Sequence, residues 1–227
     1  MGTHSLFPAN DEIRIINRDN GDLIRTISLP GKGSRMTPAV WKDKILSVDQ
    51  EGTLSIINSG SGSVEKEITT MGTQPIALSI TVKNNVAVFS GRKGSVVCVD
   101  LNAGKVLWEK QLSDGENKVQ VYSDIVCSDT GAYIYAKGLI FGLDLDSGND
   151  LFEVVRNVSS PPAIIDDSLV FGLADSTLVF MDPSSGNIRE SLSLEEPVST
   201  RPAPFADKIA VGTSRGKIII INPEGIR

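Results

Sequence analysis

The chain has 227 residues, with 40% hydrophobic residues, 22% charged residues and a formal net charge of −6. These proportions suit a globular protein with a full core and exclude the disordered and collagen-like classes. A pI near 4.9 argues against a nucleic-acid binder, which needs a basic stripe, and no run of about 18 apolar residues exists to cross a membrane as a helix.

Met1-Gly2-Thr3-His4-Ser5 reads as a leader left by cloning, with a short strand over 5–9; residues 1–10 are set apart from a single β domain over 11–227. No signal peptide is legible in it. Residues 12–17 and 23–29 predict two strands around a turn, and 30–34 (Pro-Gly-Lys-Gly-Ser) a loop. A full unit follows: a Pro-led strand over 36–41, a turn at Lys42-Asp43, strand 44–48, a turn at Gln50-Glu51-Gly52, strand 53–58, a polar turn and an outer strand. Proline cannot donate to a ladder, so Pro38 belongs at the strand's beginning. The second unit takes strands at 75–82, 86–90, 95–100 and 105–112; the third at 118–127, 132–136, 139–144 and 150–155; the fourth at 161–165, 169–173, 177–182 and 188–194. A fifth unit supplies 201–205, 208–212 and 217–222 without an outer strand. No amphipathic helix is legible anywhere.

One turn recurs throughout. Its copies are Asn17 to Gly21, Asn58 to Gly62, Asp100 to Gly104, Asp144 to Gly148, Asp182 to Gly186, and a shortened Asn222 to Gly225. Successive turn glycines are 41, 42, 44, 38 and 39 residues apart. Asn and Asp bond backbone nearby, and glycine accepts the left-handed conformation that closes the turn. Short strands repeating at about 40 residues point to a β-propeller, in which each unit buries its faces on its neighbours. The fold class is therefore all-β: a β-propeller of four-stranded antiparallel blades, about five to six in number. The ring is either incomplete or closed by pairing of the N- and C-terminal strands. Ile218-Ile219-Ile220-Ile221 would be a hazardous bare edge, so it is expected to pair with the N-terminal segment or a second chain.

The repeat resembles the PQQ-type (quinoprotein-type) propeller family, whose Ala-x-Asp-x-x-Thr-Gly-x-x-x-Trp hairpin locks neighbouring blades. The third copy carries Cys98, Asp100, Ala103, Gly104, Lys105 and Trp108; the fourth Gly142, Asp144, Ser147, Gly148 and Phe152; the fifth Asp182, Ser185 and Gly186, with Glu190 in the Trp position. The first two place Arg25 and Lys66 there. The resemblance implies blade-locking roles for Asp100, Gly104, Trp108, Asp144, Gly148, Phe152, Asp182 and Gly186. It also implies that the ring is loosest at Arg25, Lys66 and Glu190.

No catalytic, cofactor-binding or metal-binding residue is expected. His4 lies in the leader, so a Ser-His-Asp or Cys-His mechanism has no base. Glu195-Glu196, Asp166-Asp167 and Asp144 with Asp146 fall in turns, where solvated side chains account for them. Gly91-Arg92-Lys93-Gly94 lacks Walker spacing and reads as a hairpin turn. Cys98 and Cys127 form no metal-ligand pattern. Trp41 is open between a pocket and a packing role. Quinoprotein dehydrogenases of the resembling family carry eight blades, a quinone with calcium and an adjacent-cysteine disulfide, and this chain has no adjacent cysteines.

The expected function is a non-catalytic protein-binding or scaffold module of the bacterial cell envelope, needing no cofactor. In this the chain resembles the non-enzymatic branch of the family, which serves outer-membrane barrel assembly. The alternatives are a fragment of a quinoprotein oxidoreductase and a small-molecule-sensing propeller. The partner is another protein, with no nucleic acid and no direct membrane span, and with self-association through the C-terminal strand as a further route. The compartment is the periplasm or envelope if a signal has been removed, and otherwise the cytoplasm.

Overall fold

The computed structural model describes residues 4–9, 11–29, 33–34, 36–70, 79–91 and 94–222. Two compact units divide the chain, residues 1–120 and 121–227.

In the first unit, β1 (His4–Ala9), β2 (Glu12–Asn17) and β3 (Leu23–Ser28) form a three-stranded antiparallel sheet. β4 (Ala39–Trp41), β5 (Lys44–Val48), β6 (Leu54–Asn58) and β7 (Val64–Ile68) form a four-stranded meander, as do β8 (Thr81–Lys83), β9 (Val86–Ser90), β10 (Ser95–Asp100) and β11 (Lys105–Gln111). A small hairpin, β12 (Ser113–Asp114) with β13 (Asn117–Lys118), follows.

In the second unit, β14 (Val126–Cys127), β15 (Gly131–Ala136) and β16 (Leu139–Asp144) make a sheet of three. β17 (Ala163–Ile165), β18 (Ser168–Gly172), β19 (Thr177–Met181) and β20 (Ile188–Ser193) make a sheet of four. The last sheet is β21 (Ala203–Phe205), β22 (Lys208–Gly212) and β23 (Ile218–Ile221).

The four-stranded antiparallel meanders are propeller blades, as the period of about 40 requires. In the four-stranded blades the two central strands are buried on both faces, which is why they read as short continuous apolar runs. β10, for example, buries Val96, Val97, Cys98 and Val99, all fully. Facing blades share cores. Leu46, Ile56, Phe89, Val97 and Val99 sit in one cluster, and Val170, Phe180, Ile209 and Val211 in another.

Several expectations are corrected. The first strand begins one residue earlier than the expected 5–9: His4 opens β1 and pairs with Asn17. The predicted strand over 118–127 is interrupted, with pairing only at the β13 and β14 ends. The outer strand over 150–155 is reduced to two isolated bridges, Leu143 with Asp150 and Ile140 with Val155. Among the described residues β23 pairs with β22 alone. The turn at Gly225, residues 75–78 of the second unit's first strand, and Arg92-Lys93 lie outside the described residues.

Candidate functional site: the turns and what docks on them

The recurring acids face their own turns. Asp100 Oδ1 accepts the backbone N–H groups of Asn102 and Ala103 at 2.8 and 2.9 Å. Asp144 Oδ1 accepts the Ser147 N–H at 2.8 Å and its hydroxyl at 2.6 Å. Asp182 Oδ1 accepts from the Ser184 and Ser185 N–H groups and the Ser185 hydroxyl, while Oδ2 takes the Arg189 guanidinium at 2.5 Å. Asn58 Oδ1 does the same for Gly60 and Ser61. Each turn is closed by the glycine N–H donating to the carbonyl of the Asn or Asp four residues earlier, at 2.7–3.0 Å. All five described turn glycines have positive φ, from 60° at Gly104 to 78° at Gly21 and Gly62, where a Cβ would be strained.

These bonds hold the Asp144 and Asp182 carboxylates in their charged form. The Ser147 hydroxyl and N–H lower the Asp144 pKa. The Ser185 N–H first, then Arg189, lower that of Asp182 to about 2. With the Oδ1 atoms occupied, the turns offer little for acid–base work.

A bulge aims the residue that follows each turn. The register slips between Ile15 and Ile16, Ile56 and Ile57, Cys98 and Val99, and Phe180 and Met181. The slip leaves one outer-strand residue unpaired, and the next faces the central strand: Arg25, Lys66, Trp108 and Glu190. Bulges add twist and redirect side chains, so this position points in the same local direction whatever residue fills it.

What fills it docks on the next turn along the chain. Arg25 donates to the carbonyls of Ser59, Gly60 and Ser61. The Lys66 ammonium donates to Ala103 O at 2.9 Å, and its terminal methylenes lie where a Gly104 side chain would be. Phe152 lies against the Asp182 turn, and a Cβ on Gly186 would come 2.5 Å from Phe152 Cβ. The Phe152 ring also covers Gly142, where any side chain would collide with it. At Arg25 and Lys66, where the ring is expected to be loosest, a cation replaces an aromatic and reaches turn carbonyls instead. Trp108 is 8% exposed and pairs with Cys98 in the ladder. Gly148 has φ 71° and closes its turn as the others do. Glu190 pairs with Phe180, and the turn after it in the series lies largely outside the described residues.

Other residues support these seams. Tyr133 donates its hydroxyl to Pro183 O at 3.0 Å and stacks on Phe152, the rings 6.3 Å apart and 7° from parallel. Burial raises its pKa. Ser160 and Thr200 accept the N–H of Gly172 and Gly212 at 2.9 and 2.8 Å, closing the inner end of two blades. Their signal was present, since Val158-Ser159-Ser160 and Val198-Ser199-Thr200 stand 40 residues apart before Pro-containing strands. Nothing local to Tyr133 marked it.

The remaining candidates sit apart. Glu195 is exposed as expected, but Glu196 is not a solvated turn residue: it is 2% exposed, accepts from Thr213 and pairs with Lys217 at 2.7 Å. Lys217 first, then Thr213, lower its pKa. Asp166 and Asp167 are left-handed residues in the β17–β18 turn. Trp41 packs beside the core shared by β5, β6, β9 and β10, with the Lys42 ammonium 4.4 Å from its ring centroid. Among the described residues no group of three or more His, Cys, Asp and Glu is arranged to hold a metal.

Relatives share this architecture. The crystal structure of BamB from Moraxella catarrhalis superposes with a TM-score of 0.68 at 17% identity, over 97% of this chain and 70% of that one. The computationally designed Ika8 protein gives 0.72 at 16% identity, over 96% of this chain and 67% of that one. These likenesses establish the propeller fold. Among curated sequences, the outer membrane protein assembly factor BamB of Shewanella oneidensis is 26% identical over 129 residues, 56% of this chain and 32% of that protein. The BamB of Legionella pneumophila is 24% identical over 139 residues, 58% and 36%. The chain spans about a third of the length of these curated relatives. Residues 65–202, more than half of the chain, match the family described as outer membrane protein assembly factor BamB, and the chain belongs to that family.

Proposed function

We propose that this chain is a non-catalytic propeller that binds other proteins in outer-membrane protein assembly, within the bacterial cell envelope. The family match supports the process, and the use of the turn acids by their own backbone supports a scaffold over an enzyme. Asp100, Gly104, Trp108, Asp144, Gly148, Phe152, Asp182 and Gly186 act as blade-locking residues in this reading. The loops that join the strands remain available for recognition, the usual use of loops on a rigid scaffold. The single observation that carries the reading is the docking of Arg25, Lys66 and Phe152, each on the next turn along the chain, which commits the motif's chemistry to holding blades together.

The test has two arms. The chain, directed to the periplasm of bacteria lacking their own BamB, should raise the level of folded outer-membrane barrels. Pyrroloquinoline quinone with Ca²⁺ should leave its melting temperature unmoved. No rescue counts against the assembly role, and a clear stabilisation by the quinone revives the oxidoreductase alternative.

A further inference from the structure

One turn carries a small polar residue where the later turns carry a buried apolar one. The place is the residue directly after the turn's Asn or Asp. Leu101 is 3% exposed there and Leu145 5%, and Pro183 is buried. Leu101 packs in the core shared with Leu46, Ile56 and Ala87, so its side chain helps to fill the seam between the second and third sheets. Ser59 holds this place in the second sheet. Its backbone does what theirs does: the Ser59 N–H donates to Asp43 O, as Leu101 donates to Asn85 O and Leu145 to Thr130 O. Its hydroxyl is spent on the same Asp43 carbonyl at 2.7 Å. The apolar volume of a leucine is therefore absent from the seam between the first two sheets.

A cavity of about 290 Å³ lies in that seam, between the faces of the two sheets. Leu6, Ile15 and Ile24 wall it from the first sheet, and Val40 and Ile45 from the second. Ile45 is fully buried, whereas Ile24 and Val40 are 48% and 42% exposed and form the mouth. The polar lining is Arg25, Ser59 and His4, with no acid among them, in a chain whose net charge is −6. Arg25 directs two N–H bonds from Nη1 and one from Nη2 to the carbonyls of Ser59, Gly60 and Ser61. Among the described residues no carboxylate pairs with it, and its Nε–H and second Nη2 N–H have no acceptor. Those two donors share one edge of the guanidinium, the fork that a carboxylate accepts with both oxygens.

We propose that this cavity binds a small apolar monocarboxylate, with an aliphatic body between the two sheets and its carboxylate on the free edge of Arg25. Ligand cavities begin near 300 Å³ and are mostly apolar, with a few polar groups that fix orientation. At about 30 Å³ per non-hydrogen atom the space takes roughly ten of them, an acid of about eight carbons. The inference rests on Ser59 and Arg25 and not on the assembly role, so either can fail alone.

The probe is octanoate, titrated into the full chain. The amide resonances of Ile15, Ile24, Val40 and Ile45 should shift saturably, with a Kd at or below about 1 mM, and those of β18 and β19 should stay in place. Octanol and octylammonium, which keep the body and lose the carboxylate, should bind at least about tenfold more weakly. Ser59→Leu installs the residue of the Asp100 and Asp144 turns; it should fill the cavity, raise the melting temperature and abolish the octanoate shifts. Val40→Asp, a change at the exposed mouth, should weaken octanoate at least about tenfold by like-charge repulsion and spare octylammonium. Absence of saturable shifts overturns the proposal, as does octylammonium binding as tightly as octanoate. So does octanoate binding that neither variant alters, or shifts spread evenly over every sheet, the mark of detergent-like association.

Discussion

At the scale of the residue, one position, four places after the turn glycine, accepts five different side chains: Arg25, Lys66, Trp108, Phe152 and Glu190. Where the outer strand pairs, a bulge sets the direction, whereas Phe152 reaches its turn from outside the ladder. Arg25, Lys66 and Phe152 solve the same problem with three carbonyl bonds, one carbonyl bond and ring contact respectively. Their worth differs. Trp108 is nearly fully buried, so Trp108→Ala should cost about 3–5 kcal/mol in urea unfolding, the range for emptying a large core aromatic. A loss under about 1 kcal/mol would mean that the indole is not packed. Lys66 is exposed and makes one bond to Ala103, so Lys66→Ala should cost about 0.5–1 kcal/mol. Asp182 gives a pH signature. Its folded pKa is lowered from 3.8 to about 2, so its stabilisation is complete above roughly pH 4 and is lost as pH falls toward 2. Asp182→Asn should therefore flatten the acid limb of the stability curve over that window, and an unchanged limb would place the acid sensitivity elsewhere.

At the scale of the element, the strand–turn–strand unit was legible because its cues are local. Asn or Asp, a glycine four places on, and a short apolar run before them are each set by the backbone they build. The inner strands were over-drawn: they were expected from Pro161 and Arg201, while ladder pairing begins only at Ala163 and Ala203. The outer strand after Gly148 failed for a physical reason: Phe152 leaves the ladder to lie between Gly142 and Gly186. Docking by Arg25 and Lys66 was not legible, because a cation in an aromatic's place reads as loss of the motif until the carbonyls it reaches are known. The same geometry makes Gly142 a packing requirement. Gly142→Val should unseat the Phe152 ring and lower the melting temperature by several degrees, about what 1–3 kcal/mol of overpacking gives. The double variant Gly142→Val with Phe152→Ala should recover part of that loss. If the two losses instead add, the ring and the glycine are not the contact described.

At the scale of the whole molecule, stability in a repeat chain is a sum of unit and nearest-neighbour terms, so each sheet is only as durable as the faces it shares. Within the first unit those faces are unequal. The first sheet has no inner strand among the described residues, and its buried contribution is Ile13 and Ile27 against Ile45 and Ile57. The next interface buries Met36, Leu46, Leu54, Phe89, Val97 and Val99 with six others. Local opening follows such differences, because segments with few buried apolar contacts open well below the global unfolding free energy. Native-state hydrogen exchange should accordingly find the amides of β2 exchanging through low-energy openings, with Ile13 and Ile15 protected at least about tenfold less than Phe89 and Val97. Equal protection across β2, β9 and β10 would show that the first sheet draws its stability from something other than the faces it shares, and that its open edge does not weaken it.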